Sequence, residues 1–159
     1  MNRSEELPFL ISPGSRFPIG KYTFTEDEII RFAKSWDPQP FHVDPVLASN
    51  SLLGGLCASG WHTTAVWMKL QRKHVAKVMR ELTEAGKRLP EFGPSPGMNN
   101  IKWTLPVFVG DTVLYENEIQ DLRPSNSKAG WSIMKNRAFA TNQNNDLVMT
   151  FDSAVFIKP

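Results

Sequence analysis

The sequence predicts an α+β domain in which a curved antiparallel sheet wraps one long helix. Three observations carry that expectation. A stretch beginning near Ser59 repeats apolar residues at helical spacing until Gly86 and Pro90 mark its decline. From Met98 onward the runs instead alternate apolar and polar residues, the period of a half-buried strand. Polar turns such as Gly110-Asp111 and Asn142-Gln143-Asn144-Asn145 separate those runs, which favours antiparallel neighbours.

The elements follow in chain order. Residues 1–13 read as a short N-terminal arm, because Pro8 and Pro13 oppose regular structure, and residues 14–159 read as a single domain. Phe17 to Phe24 form a first strand after the Pro13-Gly14 turn. Thr25 and Glu28 make a capping-box pattern, and Ile29, Phe32, Ala33 and Trp36 recur at helical spacing behind it. Pro38 and Pro40 end that helix. Asp44-Pro45 opens a short helix through Ala48, and Gly54-Gly55 breaks the chain again. In the long helix, Trp61, Ala65, Met68, Val75, Met79 and Leu82 fall on one apolar stripe. Lysines and arginines, among them Lys69, Arg72, Lys73 and Arg80, fill a basic face, the usual pattern of a solvated side. A loop from Gly93 to Gly97 leads into the strands. Ile101, Trp103 and Leu105 alternate first, then Val113, Tyr115 and Ile119, then the run from Trp131 to Thr141. Leu147 to Ile157 completes the set, with Met149, Phe151, Val155 and Ile157 on one face. Roughly five strands and one long helix pack most economically as a hotdog arrangement.

Bulk composition narrows the function classes. The 159 residues are 41% hydrophobic and 21% charged, suited to one domain with a real core. A net charge of +2 is too mild to make nucleic acid the main partner. No apolar run approaches membrane-spanning length, and the first residues lack the apolar core of a signal peptide. The single cysteine, Cys57, excludes a disulfide framework within one chain. A cytoplasmic protein without membrane or nucleic-acid partners is expected.

Chemistry concentrates in two places. In Asp37-Pro38-Gln39-Pro40-Phe41-His42, a carboxylate and an imidazole flank two prolines. Each proline fixes its own φ and pushes the preceding residue toward extended geometry. A stiff, non-helical loop carrying an acid/base pair is therefore expected, although Asp-Pro also opens ordinary turns. The second place is Gly54-Gly55-Leu56-Cys57-Ala58-Ser59-Gly60-Trp61-His62, which ends where the long helix starts. The first N–H groups of a helix lack internal partners, so Gly60 N–H is a candidate donor to a developing oxyanion. The structural alternative is that Ser59 caps the helix and Gly60 relieves crowding. His42, Asp44, His62 and His74 lack established metal-ligand spacing, so no metal is expected. Cys57, flanked by apolar residues, reads as inert core rather than as a nucleophile paired with His62.

The stretch from Phe32 to Trp67 resembles the MaoC-like, (R)-specific enoyl-CoA hydratase family of hotdog proteins. That family's motif runs acidic residue, variable position, Asn, Pro, apolar residue, His, variable position, Asp. Here it reads Asp37-Pro38-Gln39-Pro40-Phe41-His42-Val43-Asp44. The segment Leu105-Pro106-Val107-Phe108-Val109-Gly110-Asp111 is similar to the family's sheet segment after the central helix. Gln39 stands for the family's Asn, Ser59 for a His before the glycine, and Met68 where some members have Ser.

The resemblance implies reversible addition of water across a trans-2-enoyl thioester, carried by coenzyme A or an acyl-carrier protein. It implies Asp37 and His42 as the catalytic pair, Gly60 N–H as the oxyanion donor, and substrate contacts at Gln39, Ser59, Trp61 and Met68. Bulky Trp61, Trp67 and Met68 beside the acyl tunnel would favour a small acyl group. No cofactor is implied beyond the thioester itself, and a homodimer or higher homo-oligomer is. A hotdog acyl-CoA thioesterase and a non-catalytic acyl-CoA-binding module are the alternatives, because one fold hosts several functions.

Overall fold

The computed structural model describes residues 12–158, so the expected N-terminal arm lies almost wholly outside the described residues. Strand β1 spans Arg16–Thr23 and helix α1 Glu26–Trp36. Two short helices follow, α2 over Pro40–Val43 and α3 over Pro45–Ser49. Helix α4 runs Gly60–Glu84. The remaining strands are β2 (Glu91–Phe92), β3 (Gly97–Trp103), β4 (Thr112–Pro124), β5 (Ser132–Thr141) and β6 (Leu147–Lys158). They form one antiparallel sheet in the order β1-β4-β5-β6, with β2 and β3 both paired to β6 at the far edge. Among the described residues, no helix is long and apolar enough to cross a membrane.

Local signals account for most of these bounds. Thr25 Oγ1 accepts a bond from Glu28 N, as a capping box predicts, and the same hydroxyl donates to the Glu28 carboxylate. On β4, Val113, Tyr115, Asn117 and Ile119 point inward by simple alternation. Asn117 is the polar member of that row, and Trp67 Nε1 donates to its Oδ1 at 2.9 Å. Its own amide donates to Gln71, so α4 is hydrogen-bonded to the sheet as well as packed on it. Gly20 sits at a bulge in β1 with φ +150°, and a Cβ there would lie 3.0 Å from Leu70 Cδ2. Glycine thus lets the helix approach the edge of the sheet closely.

Two expectations are corrected. The loop from Asp37 to His42 is not helix-free, because Pro40 opens α2 and His42 lies within it. A proline at the first helical position is pre-organised and loses no hydrogen bond there. The apolar stripe of the long helix also faces inward only in its second half, where Val75 and Met79 are half-buried and Leu82 is buried. Trp61, Ala65 and Met68 are exposed, whereas His62, Thr63, Val66, Trp67 and Leu70 are buried. Both rows have helical spacing. The buried row holds Trp67, whose large ring packs edge-on against Phe151 at 4.7 Å and whose N–H finds Asn117.

Candidate active site

Helix α1 ends by delivering a carboxylate. The Asp37 N–H still bonds to Ala33 O at 2.8 Å, but its φ of −154° turns the chain out of the helix. Pro38 follows, then the one-turn α2 presents His42 back toward Asp37. His42 Nε2 lies 3.5 Å from Asp37 Oδ2. Its Nδ1 lies 2.7 Å from the Cys57 carbonyl oxygen. A carbonyl can only accept, so Nδ1 donates to it, and in the neutral imidazole Nε2 is then the acceptor turned toward Asp37.

Asp37 is held by two donors. Ser59 Oγ donates to Oδ2 at 2.6 Å, and Gln39 Nε2 donates to Oδ1 at 2.9 Å. Burial pushes the Asp37 carboxyl up, but the Ser59 hydroxyl, the Gln39 amide and nearby His42 outweigh it and hold it below the ordinary carboxylate range. The pair is therefore a carboxylate beside an imidazole whose orientation is fixed through its other nitrogen.

A pocket of about 350 Å³ opens beside His42, lined also by Gly60, Thr63 and Trp103 and by apolar side chains such as Phe41 and Val107; Asp37 stands behind His42 and is not part of its described wall. Gly60 is the first residue of α4, so its N–H has no acceptor within the helix. Position 60 cannot carry a larger residue without a rearrangement. A Cβ there would lie 2.4 Å from Trp103 Cδ2, since the indole lies flat against the glycine. Trp103 also donates to Thr64 Oγ1 at 3.2 Å and meets Trp61 edge-on at 5.0 Å. The two earlier readings of Gly60 thus coexist: it relieves crowding, and its N–H stands at the pocket.

The expected substrate contacts fall differently. Gln39 and Ser59 turn to Asp37, and neither is part of the described pocket wall. Trp61 and Met68 are 55% and 48% exposed on the outer side of α4. Trp67 is buried in the core. The tryptophan that walls the pocket is Trp103, which the sequence offered only as a strand residue. Its position at the end of β3 was the available signal, because strand ends border clefts.

The remaining candidates settle into structural roles. Asp44 Oδ1 accepts from Val46 N and Leu47 N and so caps α3. Burial pushes the Cys57 thiol up to about 11, far from a reactive thiolate. His62 is away from the pocket, stacked on Phe32, and burial lowers its pKa to about 4. Among the described residues, no group of three or more His, Cys, Asp or Glu side chains gathers as a metal site.

Comparison with known proteins places this arrangement. Residues 13–132 match the MaoC like domain family. The uncharacterized protein YdeM of Bacillus subtilis (strain 168) is 29% identical over 117 residues, which cover 74% of this chain and 75% of that protein. A solved structure of a MaoC-like dehydratase from Rhodospirillum rubrum is 30% identical, with a TM-score of 0.73 over 93% of both chains. The (R)-hydratase of A. caviae involved in PHA biosynthesis shares the fold at a TM-score of 0.65 and 22% identity, over 92% of this chain and 97% of that one. A helix cradled in a curled antiparallel sheet, with a family match across most of its length, shows that the chain is a hotdog protein belonging to the MaoC-like domain family.

Proposed function

We propose that the protein adds water reversibly across the double bond of a trans-2-enoyl thioester. One observation carries the reading: His42 Nδ1 is committed to the Cys57 carbonyl, which leaves Nε2, 3.5 Å from Asp37 Oδ2, as the acceptor of the neutral imidazole. Two acceptors at that separation are poised to share the two O–H groups of one water. The water oxygen then keeps a lone pair for the β-carbon of the enoyl group.

In the hydration direction, Nε2 takes a proton from the water as its oxygen bonds to the β-carbon. The π electrons move toward the thioester carbonyl, whose oxygen gains charge. Gly60 N–H, free of an internal partner, donates to that oxygen, in the positive field at the start of α4. The imidazolium is stabilised by the Asp37 anion and returns its proton to the α-carbon. The product is the 3-hydroxyacyl thioester, and dehydration runs the same steps backward. No step calls for a redox group or a metal. The acyl chain lies against the apolar pocket wall formed by residues such as Phe41, Leu53 and Val107.

A homodimer is part of this proposal. Its support is strand β1, which among the described residues pairs on one side only, and an exposed apolar row, Trp61, Ala65 and Met68, whose Trp61 meets Trp103. A mass measurement by light scattering checks it, and a monomer at working concentration counts against it. The catalytic proposal is tested with crotonyl-CoA. Loss of the enoyl absorbance without release of free thiol is expected. Thiol release without enoyl loss would instead make the protein a thioesterase, and inertness toward short and medium enoyl-CoAs that it nevertheless binds would make it a binding module.

A further inference from the structure

Gln39 and Ser59, one on each side of the short helices α2 and α3, act on the same side chain and contact different oxygens of Asp37. We propose that Gln39 and Ser59 are a matched pair of positioning residues that clamp the Asp37 carboxylate, one donor to each oxygen, and aim Oδ2 at the water shared with His42. The inference rests on the hydratase reading of the site.

The geometry of each donor supports the assignment. Ser59 is 1% exposed, so its hydroxyl must find partners inside the protein. A hydroxyl has one proton and two lone pairs. The proton goes to Asp37 Oδ2 at 2.6 Å, within the short range of charge-assisted bonds. A lone pair accepts from Trp61 N at 3.2 Å, capping α4. One side chain thereby ties the carboxylate to the first turn of α4, which carries Gly60. The spacing between the water-holding pair and the oxyanion donor is fixed through a single hydroxyl. Gln39 precedes α2 with extended backbone angles and makes no cap bond to that helix. Its amide instead reaches back over Pro38 to Oδ1. Neither residue joins the pocket wall, so neither is placed to select the acyl group. Both donors favour the charged carboxylate, in keeping with its lowered pKa.

The test reads Asp37 directly. Carboxyl carbons are followed by ¹³C NMR through a pH titration, and the Asp37 signal is identified by its loss in Asp37→Asn. Ser59→Ala is expected to raise the Asp37 midpoint by about one pH unit, the worth of one good bond to the anion. Gln39→Leu should raise it less, because Gln39 is exposed. Ser59→Thr should restore it. With crotonyl-CoA, both losses should lower kcat, by roughly tenfold for Ser59→Ala, with KM nearly unchanged. Ser59→Ala also removes a helix cap. If it fails to fold, Gln39→Leu, which caps nothing, decides the result. A midpoint unmoved in the folded variants overturns the clamp, as does a raised KM with kcat preserved. A shifted midpoint in a protein without turnover upholds the clamp and defeats the hydratase reading.

Discussion

His42 and His62 are buried equally, to 6% exposure, yet their surroundings give them opposite chemistry. His42 has a carbonyl opposite one nitrogen and a carboxylate beside the other. His62 lies nearly parallel on Phe32 at 4.5 Å, with Phe24 edge-on at 5.1 Å, and its buried Nδ1 has no hydrogen-bond partner among the described residues. Uncompensated burial drives His62 down to about 4 despite the favourable charge of Glu28, so it stays neutral and serves as an aromatic. Burial alone therefore does not make a histidine reactive. A fixed acceptor on one nitrogen, which orients the other, does.

Substituting each histidine is the strongest way to break that contrast. His42→Ala and Asp37→Asn should lower kcat/KM for enoyl hydration by about 10²–10⁴-fold. His62→Phe, assayed by the same absorbance loss, should stay within about threefold, because a ring of similar shape refills an aromatic slot. Equal damage from both histidine substitutions would end the distinction.

Gly60 sharpens it at the oxyanion side. Gly60→Ala keeps the N–H but adds a methyl group 2.4 Å from the Trp103 indole. A loss of about 10–100-fold in kcat/KM with a lower Tm is expected from overpacking and displaced geometry. In a chain that also carries Trp103→Ala, the methyl group has room, and activity should match that of Trp103→Ala alone. A double variant no better than Gly60→Ala would show that crowding is not the reason for glycine.

The smallest effect is on stability against pH. The unfolded chain protonates His62 near its ordinary pKa of 6.5, whereas the folded chain resists until about 4. The unfolded state thus binds more protons in that window, and stability falls as pH drops from about 6.5 to about 4. His62→Phe should flatten the fall by about 1–2 kcal/mol, read as the difference between urea midpoints of the two proteins across those pH values. Parallel curves would mean that His62 is not buried as a neutral ring.

Elements with short-range causes were legible in the sequence. The Thr25 cap, the start of α4 after Ser59 and the inward row on β4 all follow from neighbours within a turn or along a strand. What escaped depended on distant partners. Two apolar rows of α4 had equal helical spacing, and the choice between them lay with Phe151 and Asn117 on the sheet. That Asp37 and His42 stand together was readable because both sit in one short segment. Ser59 was read as a cap and a substrate contact, since nothing local to it announces a carboxylate 22 residues away. Trp103 meets Gly60 across a still longer interval of chain.

The atom that sets the tautomer of His42 belongs to the main chain. Cys57 sits in an isolated antiparallel bridge with Phe108, and its neighbour Ala58 donates to Val107 O at 2.8 Å. Every amino acid at position 57 brings the same carbonyl oxygen. The carbonyl acceptor for Nδ1 therefore survives replacement of the thiol, although Cys57 Sγ lies 3.7 Å from the same nitrogen and a substitution changes what packs on the ring. Only a change that shifts the backbone, in the bridge or in the turn that carries Phe108, reaches the histidine by that route.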